Sequence, residues 1–169
     1  MLQNSVVDFE QQRLRSILDN VSDPEIPVLT INEMGILRDV KYDGETVQVS
    51  ITPTYSGCPA LDQITADVQS ELAKHGYHKV SVSLVLSPAW TTDWMTDEAR
   101  EKLRNYGIAP PCKTSALNEL GEHTLGFTAS CPQCRSLNTE LVSEFGSTAC
   151  KALWKCLDCL EPFDYFKPL

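Results

Sequence analysis

The sequence has no long hydrophobic run and no targeting segment at its start. No apolar stretch approaches the roughly 20 residues that a membrane-spanning helix needs. The opening sequence Met-Leu-Gln-Asn-Ser lacks the basic start and the apolar centre of a signal peptide. With 42% hydrophobic and 22% charged residues, the 169-residue chain has the composition of a globular protein. We therefore predict a cytoplasmic protein that does not enter a membrane.

The fingerprints of common enzymes are also missing. The chain has no glycine-rich phosphate loop, no flavin or nicotinamide fingerprint, and no carboxylates and histidines arranged for a diiron site. Its three histidines, His75, His78 and His123, form no ligand spacing. We therefore expect that the chain is not an enzyme by itself.

Positive charge is scarce in this sequence. The formal net charge is −9, from 14 lysines and arginines against 23 aspartates and glutamates, and residues 1–107 contribute most of the excess. An acidic surface repels a phosphate backbone. Nucleic acid is therefore not the expected partner.

Cysteine, in contrast, is plentiful: there are seven, and four of them form two Cys-x-x-Cys pairs, Cys131 with Cys134 and Cys156 with Cys159. In a chain without a secretory signal, such pairs indicate a metal site rather than a disulfide framework. Four thiolates from two tight turns close a tetrahedral zinc site that has no position for water, so we expect a structural site. The same ligands also suit a single iron ion or an iron–sulfur cluster, and the sequence leaves these alternatives open.

Breaks in the hydrophobic pattern divide the chain into two domains. A Pro-Pro pair and weak periodicity mark residues 108–123 as a linker between a first domain, residues 1–107, and a second domain, residues 124–169. So short a second domain buries too little apolar surface to be stable unaided, and we expect a bound metal to supply the difference. Strand-like Leu137–Phe145 and Ala149–Lys155 between the cysteine pairs predict a small all-β zinc ribbon.

The first domain is predicted to have the element order α-β-β-α-β-α, with helices against one face of a small mixed sheet. Hydrophobic patterns and turn residues indicate three helices, Asp8–Val21, Ala60–His75 and Asp97–Tyr106, and three strands, Ile36–Tyr42, Thr46–Thr52 and Lys79–Leu86. Asp43-Gly44 between the first two strands is a strong hairpin signal. The predicted fold class of the chain is therefore α+β.

Cys58 is the most specific candidate functional residue outside the four-cysteine site. It lies in the segment Thr52–Pro59, where the second strand ends and the second helix begins. Pro59 suits the first helical position, which places Cys58 at the N-cap, where backbone N–H groups and the helix dipole lower the pKa of a thiol. However, a single cysteine is often a buried structural residue, and no base lies near it in sequence, so both interpretations stay open.

The remaining candidates are less specific. Asp23 and Glu25 follow the first helix and either cap and solvate a turn or, if the loops meet at one edge, face Cys58. Cys150 lies outside the two cysteine pairs and is interpreted as a buried hydrophobe, with a spare ligand or redox partner as the alternative. The sequence assigns no role to Cys112.

Several motifs resemble the metal–sulfur cluster biosynthesis (iron–sulfur assembly factor) domain family. The segments that carry this resemblance are Asp23–Pro27, Asn32–Val40 and Thr54–Pro59. Three more segments resemble the branch of the family that is encoded with the ring-epoxidising phenylacetyl-CoA oxygenase, namely Pro88–Met95, Phe145–Ala152 and Cys159–Lys167. The resemblance covers nearly the whole chain.

The resemblance implies an accessory subunit of the multicomponent phenylacetyl-CoA 1,2-epoxidase in phenylacetate catabolism. The implied role is iron or iron–sulfur maturation of the oxygenase or its reductase, whose subunits are then the partners. By the same resemblance, Cys58 is the reactive or cluster-contacting thiol, with Asp23 and Glu25 at the same edge, and an iron ion or cluster in transit accompanies the zinc. A structural scaffold subunit and a thiol or electron-transfer protein are the alternative functions, and a homo-oligomer is compatible with the sequence.

Overall fold

The computed structural model describes residues 2–55, 57–112 and 129–168, with side chains from Phe9 onward. The chain forms two compact units, Met1–Trp90 and Thr91–Leu169, and its fold class is α+β, as predicted. The first unit contains α1 (Leu2–Leu18), β1 (Leu37–Tyr42), β2 (Val47–Ile51), α2 (Ala60–Lys74) and β3 (Val80–Leu84). The second contains a 3-10 turn (Thr92–Trp94), α3 (Asp97–Tyr106), β4 (Ile108–Ala109), β5 (Thr139–Ser143), β6 (Lys151–Cys156) and β7 (Pro162–Phe166).

A three-stranded mixed sheet forms the centre of the first unit. β2 lies in the middle, antiparallel to β1 and parallel to β3. Because side chains alternate along a strand, Val47, Val49 and Ile51 of β2 are all completely buried while Gln48 is exposed. Helix α1 contacts β1, α2 contacts β3, and the two helices contact each other. Their buried residues include Leu14, Ile17, Leu18, Ile64, Val68 and Leu72.

The first helix ends earlier than predicted. It runs from Leu2 to Leu18 rather than from Asp8 to Val21, because the chain turns after Leu18. The amide of Val21 donates to the carbonyl of Leu18 at 3.0 Å, and the amide of Ile31 donates to the carbonyl of Val21 at 3.0 Å. Val21 is buried, as its apolar periodicity predicts, but it begins the loop that carries Asp23.

The sheet of the second unit has the strand order β4-β7-β6-β5. β6 is antiparallel to both of its neighbours, and β4 is parallel to β7. Helix α3 ends at Tyr106 and is capped by Gly107, which has a left-handed φ of 92°, and the chain passes directly into β4. The sequence pattern assigns α3 to the first domain and begins the linker at residue 108, whereas the structure places α3 and β4 in the second unit. Residues 113–123 of that linker, including His123, lie outside the described residues.

The core of the second unit includes metal-site cysteines. Buried Cys131 and Cys156 belong to one apolar cluster with Ala109, Ala129, Ala152, Trp154, Phe163 and Tyr165. The rings of Trp154 and Tyr165 meet edge to face with their centroids 6.2 Å apart. Folding of this unit and assembly of the cysteine cluster therefore depend on each other.

Among the helices that the structure describes, none combines the length and the hydropathy required to cross a bilayer.

Candidate metal centre and thiol site

The four predicted ligands come together in the second unit. The Sγ atoms of Cys131, Cys134, Cys156 and Cys159 all lie within 4.8 Å of one another. The Sγ–Sγ distance is 3.7 Å between Cys131 and Cys159 and 3.5 Å between Cys134 and Cys156. A regular tetrahedron with metal–sulfur bonds of about 2.3 Å has edges of about 3.8 Å. The sulfur positions therefore fit a tetrahedral metal ion held by four thiolates.

The two Cys-x-x-Cys turns have the same backbone geometry, and we call residues 131–136 the first knuckle and residues 156–161 the second knuckle. In both, the amide of the first cysteine donates to the carbonyl five residues later at 2.9 Å. In both, the residue after the second cysteine has a left-handed φ, which is 64° at Arg135 and 66° at Leu160. Arg135 and Leu160 therefore occupy equivalent positions.

Backbone N–H groups of the second knuckle stabilise a thiolate. The amide of Cys159 donates to the Sγ of Cys156 at 3.5 Å. This hydrogen bond, followed by one from the amide of Asp158, lowers the pKa of Cys156 to about 7. Because a metal ion binds the thiolate and displaces the proton, a thiol that ionises near neutral pH favours metal binding.

A hydrogen-bonded clamp, which sequence reasoning missed, joins the knuckles. The carboxylate of Asp158 accepts hydrogen bonds from the hydroxyl of Ser136 and, at 2.8 Å, from the side-chain amide of Asn138. These bonds, the one from Ser136 first, lower the pKa of Asp158. The amide of Leu157 also donates to the carbonyl of Asn138 at 2.8 Å. No sequence signal distinguishes Asp158 from other surface aspartates, since its partners lie about 20 residues away.

The other two cysteines of the second unit lie outside the four-sulfur cluster. Cys150 is 4% exposed, and its thiol contacts the Thr148 hydroxyl at 3.0 Å. Cys112 is half-buried, and the hydroxyl of Tyr165 donates to its sulfur at 3.9 Å. Burial, which penalises the charged form, raises the pKa of Tyr165 above its ordinary range. All seven cysteines lie within the described residues, and none forms a disulfide.

Cys58 lies in the first unit, immediately before α2, and is 9% exposed. Gly57, with a φ of 79°, turns the chain into this position. The predicted N-cap position of Cys58 is wrong by one residue. Pro59 is the N-cap, with φ −70° and ψ −17° and no side-chain capping bond, because its ring already holds a helical φ.

The predicted lowering of the Cys58 pKa is also wrong. Burial raises the pKa of the Cys58 thiol, and the negative charges of Glu25 and Asp23 raise it further. Hydrogen bonds from the amide of Ala60 and the side chain of Thr54 act in the opposite direction but do not compensate. The two carboxylates are thus close enough to influence the thiol. Burial and the two negative charges raise the pKa of the thiol by more than the N-terminus of α2 lowers it.

Asp23 orders the loop that carries both Asp23 and Glu25. Asp23 is buried, and its Oδ1 atom accepts hydrogen bonds from the amides of Glu25 at 2.7 Å and Ile26 at 2.9 Å. Asp23 therefore both shapes the turn and contributes charge near Cys58, so the two interpretations made from the sequence are not exclusive. Glu25 is half-buried and contributes the stronger charge effect on the thiol.

Alkylation by iodoacetamide tests whether the electrostatic environment of Cys58 raises the pKa of its thiol. Because the thiol pKa is raised, we expect its alkylation rate to rise at a higher pH than that of an unperturbed thiol, which ionises at about 8.5. Glu25→Gln removes a negative charge, so the pKa falls and alkylation at pH 8 accelerates severalfold. Glu45→Gln, at an exposed site in the β1–β2 hairpin, serves as the control and leaves the rate unchanged. Mass spectrometry of the Cys58 peptide measures the rate, and a Glu25→Gln profile equal to that of the parent contradicts the assignment.

Both halves of the chain match known protein families. Residues 11–84 match the family described as iron–sulfur cluster assembly protein, and residues 118–167 match the PaaD zinc beta ribbon domain. A crystal structure of a domain of unknown function, DUF59, from Bacillus anthracis covers 59% of this chain and 96% of its own, with 27% identity and a TM-score of 0.55. The fold and the cysteine cluster define an iron–sulfur assembly-type domain followed by a zinc ribbon.

Two relatives match over longer stretches of the chain. The chain is 50% identical over 152 residues to one component of the "Putative 1,2-phenylacetyl-CoA epoxidase" of Escherichia coli (strain K12), with 90% of this chain and 89% of that protein covered. It is 35% identical to the "Fe-S protein maturation auxiliary factor" of Porphyromonas gingivalis, over 60% of this chain and 97% of that protein. The chain belongs to the PaaD family, and the resemblance found in its motifs is confirmed.

Proposed function

We propose that this chain is an accessory subunit of a phenylacetyl-CoA epoxidase and that it assists iron or iron–sulfur assembly in the oxygenase or its reductase. The observation that carries the proposal is the 50% identity to the Escherichia coli epoxidase component across both domains. The match of the first domain to iron–sulfur assembly proteins and the name of the Porphyromonas gingivalis relative support the assembly part. The expected partners are the other subunits of the epoxidase.

Cys58 is the proposed point of contact with iron or a cluster in transit. The negative charges of Asp23 and Glu25 act on its thiol and raise its pKa, and sulfur and carboxylate oxygen are both ligands for iron. The raised pKa keeps the thiol protonated at neutral pH, so the thiolate forms when an approaching cation displaces the proton to solvent. Such a site binds its cargo transiently, which suits transfer to a partner.

The ribbon has a separate, structural part in this proposal. Four sulfurs at tetrahedral distances leave a bound ion no open coordination position, so the centre holds the fold rather than exchanging its metal. We propose zinc as the resident ion, since the matching domain is a zinc ribbon and no redox chemistry is required of it. The second unit is then free to present a docking surface to the epoxidase.

Metal analysis after purification without oxygen tests this division of roles. We expect about one zinc ion per chain in both the parent and Cys58→Ala, since four ribbon thiolates suffice for it. In equilibrium dialysis against ferrous iron, sulfide and a thiol reductant, the parent takes up iron and acid-labile sulfide, whereas Cys58→Ala does not. Cys112→Ala is the control and behaves as the parent. Equal iron uptake by the parent and Cys58→Ala contradicts the proposed role of Cys58 and favours a structural scaffold.

A further inference from the structure

Three leucines are exposed where the two knuckles meet. Leu137, Leu157 and Leu160 are 63%, 41% and 65% exposed. The backbone bond between Leu157 and Asn138 holds the second knuckle beside the residue that follows Leu137, and Leu160 closes the same knuckle. The three apolar side chains therefore lie beside the metal-binding knuckles.

In the isolated protein, leucine is an unfavourable residue at position 160. Its φ of 66° is left-handed, and this conformation crowds the Cβ of any L-residue against the following carbonyl oxygen. Its side chain is also largely in water. Glycine would satisfy the turn without either disadvantage. Arg135 has the equivalent backbone, but its exposed charge is well solvated, so the first knuckle offers no comparable apolar surface.

Acidic residues are the immediate sequence neighbours of two of these leucines. Asp158 and Glu161 are exposed beside Leu157 and Leu160, and a divalent ion neutralises only half of the charge of four thiolates. Within the two knuckles, Arg135 is the single basic residue. A complementary surface therefore has an apolar centre and a rim of lysine and arginine, and a phosphate backbone is repelled.

We propose that Leu137, Leu157 and Leu160 form the surface by which the ribbon docks onto an epoxidase component that presents an apolar patch ringed by basic side chains. The inference deepens the proposed function and rests on it, because that function supplies the partner. A second copy of this chain is a poor occupant, since an isologous contact places the acidic knuckle against itself. A strained, exposed leucine is explained by what it contacts in the complex.

Leu160→Gly separates docking from folding. Full-length, metal-loaded parent and variant are titrated by calorimetry against the purified oxygenase and reductase components of the epoxidase. We expect Leu160→Gly to keep its metal, to melt at or above the temperature of the parent, and to bind at least about tenfold more weakly. Arg135→Gly relaxes the equivalent backbone without removing a leucine, and it binds as the parent does.

Further outcomes separate this inference from the proposed function. Leu157→Gln, which alters no left-handed residue, is expected to weaken binding as well, and added salt is expected to weaken binding of the parent. Binding of both leucine variants within about twofold of the parent overturns the docking surface while leaving the proposed function standing. Equal weakening by Arg135→Gly overturns it too, since the effect then belongs to the turn. A parent that binds neither component overturns the proposed partnership and the docking surface together.

Discussion

Replacing Cys156 with serine is expected to unfold the ribbon while the helices of the first unit remain. Cys156 is a completely buried residue whose sulfur belongs to the four-thiolate cluster and whose side chain packs in the core of the second unit. Metal binding in small zinc domains supplies about 10–16 kcal/mol of apparent free energy, more than the roughly 3–5 kcal/mol of net stability that the core of a small domain provides. We therefore expect loss of the metal and of several kcal/mol of stability. Zinc content and the near-ultraviolet circular dichroism of the tryptophans measure both effects.

Cys150→Ala is the matched control for this experiment. Cys150 is a buried cysteine of the same unit, but its sulfur lies outside the cluster, so the variant is expected to keep its zinc and its near-ultraviolet spectrum. A helical far-ultraviolet signal that persists in Cys156→Ser would show that the first unit holds its fold. Retention of about one metal ion per chain by Cys156→Ser, with an unchanged spectrum, contradicts the four-thiolate assignment.

The second large effect is expected in cells that make Cys58→Ala in place of the parent. Loss of an outer-shell partner of a metal typically costs 10- to 100-fold in metal affinity or activity, and loss of a ligand costs at least as much. We therefore expect epoxidation of phenylacetyl-CoA to fall at least about tenfold, although all epoxidase subunits are made and assembled in normal amounts. Substrate consumption in lysates, normalised to the amount of each subunit, measures the effect.

Two variants show whether the effect belongs to the thiol. Cys58→Ser preserves size and polarity but not the soft sulfur ligand, and it is expected to be as inactive as Cys58→Ala. Glu25→Gln retains the thiol and loses one neighbouring charge, so an intermediate rate is expected. Full activity in Cys58→Ala with an intact complex would assign the protein to the scaffold class instead.

The metal centre was predictable from sequence because its information is local. Each Cys-x-x-Cys pair specifies its own turn, and the hairpin between them has to bring the turns together. The first unit was predictable for a similar reason, since β2 alternates buried and exposed residues and Asp43-Gly44 marks its hairpin. Strand β4 was missed because two residues carry no alternation that a pattern can reveal, and only pairing with β7 defines them.

The state of Cys58 was not predictable, because it depends on parts of the chain that are distant in sequence. A position at the start of a helix, taken alone, lowers the pKa of a thiol. The opposing contributions come from burial and from carboxylates more than 30 residues earlier, and only the folded loop brings them near the sulfur. Helix α1 ends at Leu18, three residues before its apolar pattern does, and this ending positions that loop.

The iron and acid-labile sulfide contents of the purified epoxidase components show whether Cys58 acts in iron or cluster assembly. The oxygenase and reductase are isolated without oxygen from cells that make either the parent or Cys58→Ala, and both elements are quantified for each component. We expect at least one component from the Cys58→Ala cells to contain much less iron, or much less iron and sulfide, and we expect its activity to return when these are supplied in vitro. Equal contents in components from the two strains would contradict a role for Cys58 in iron or cluster assembly.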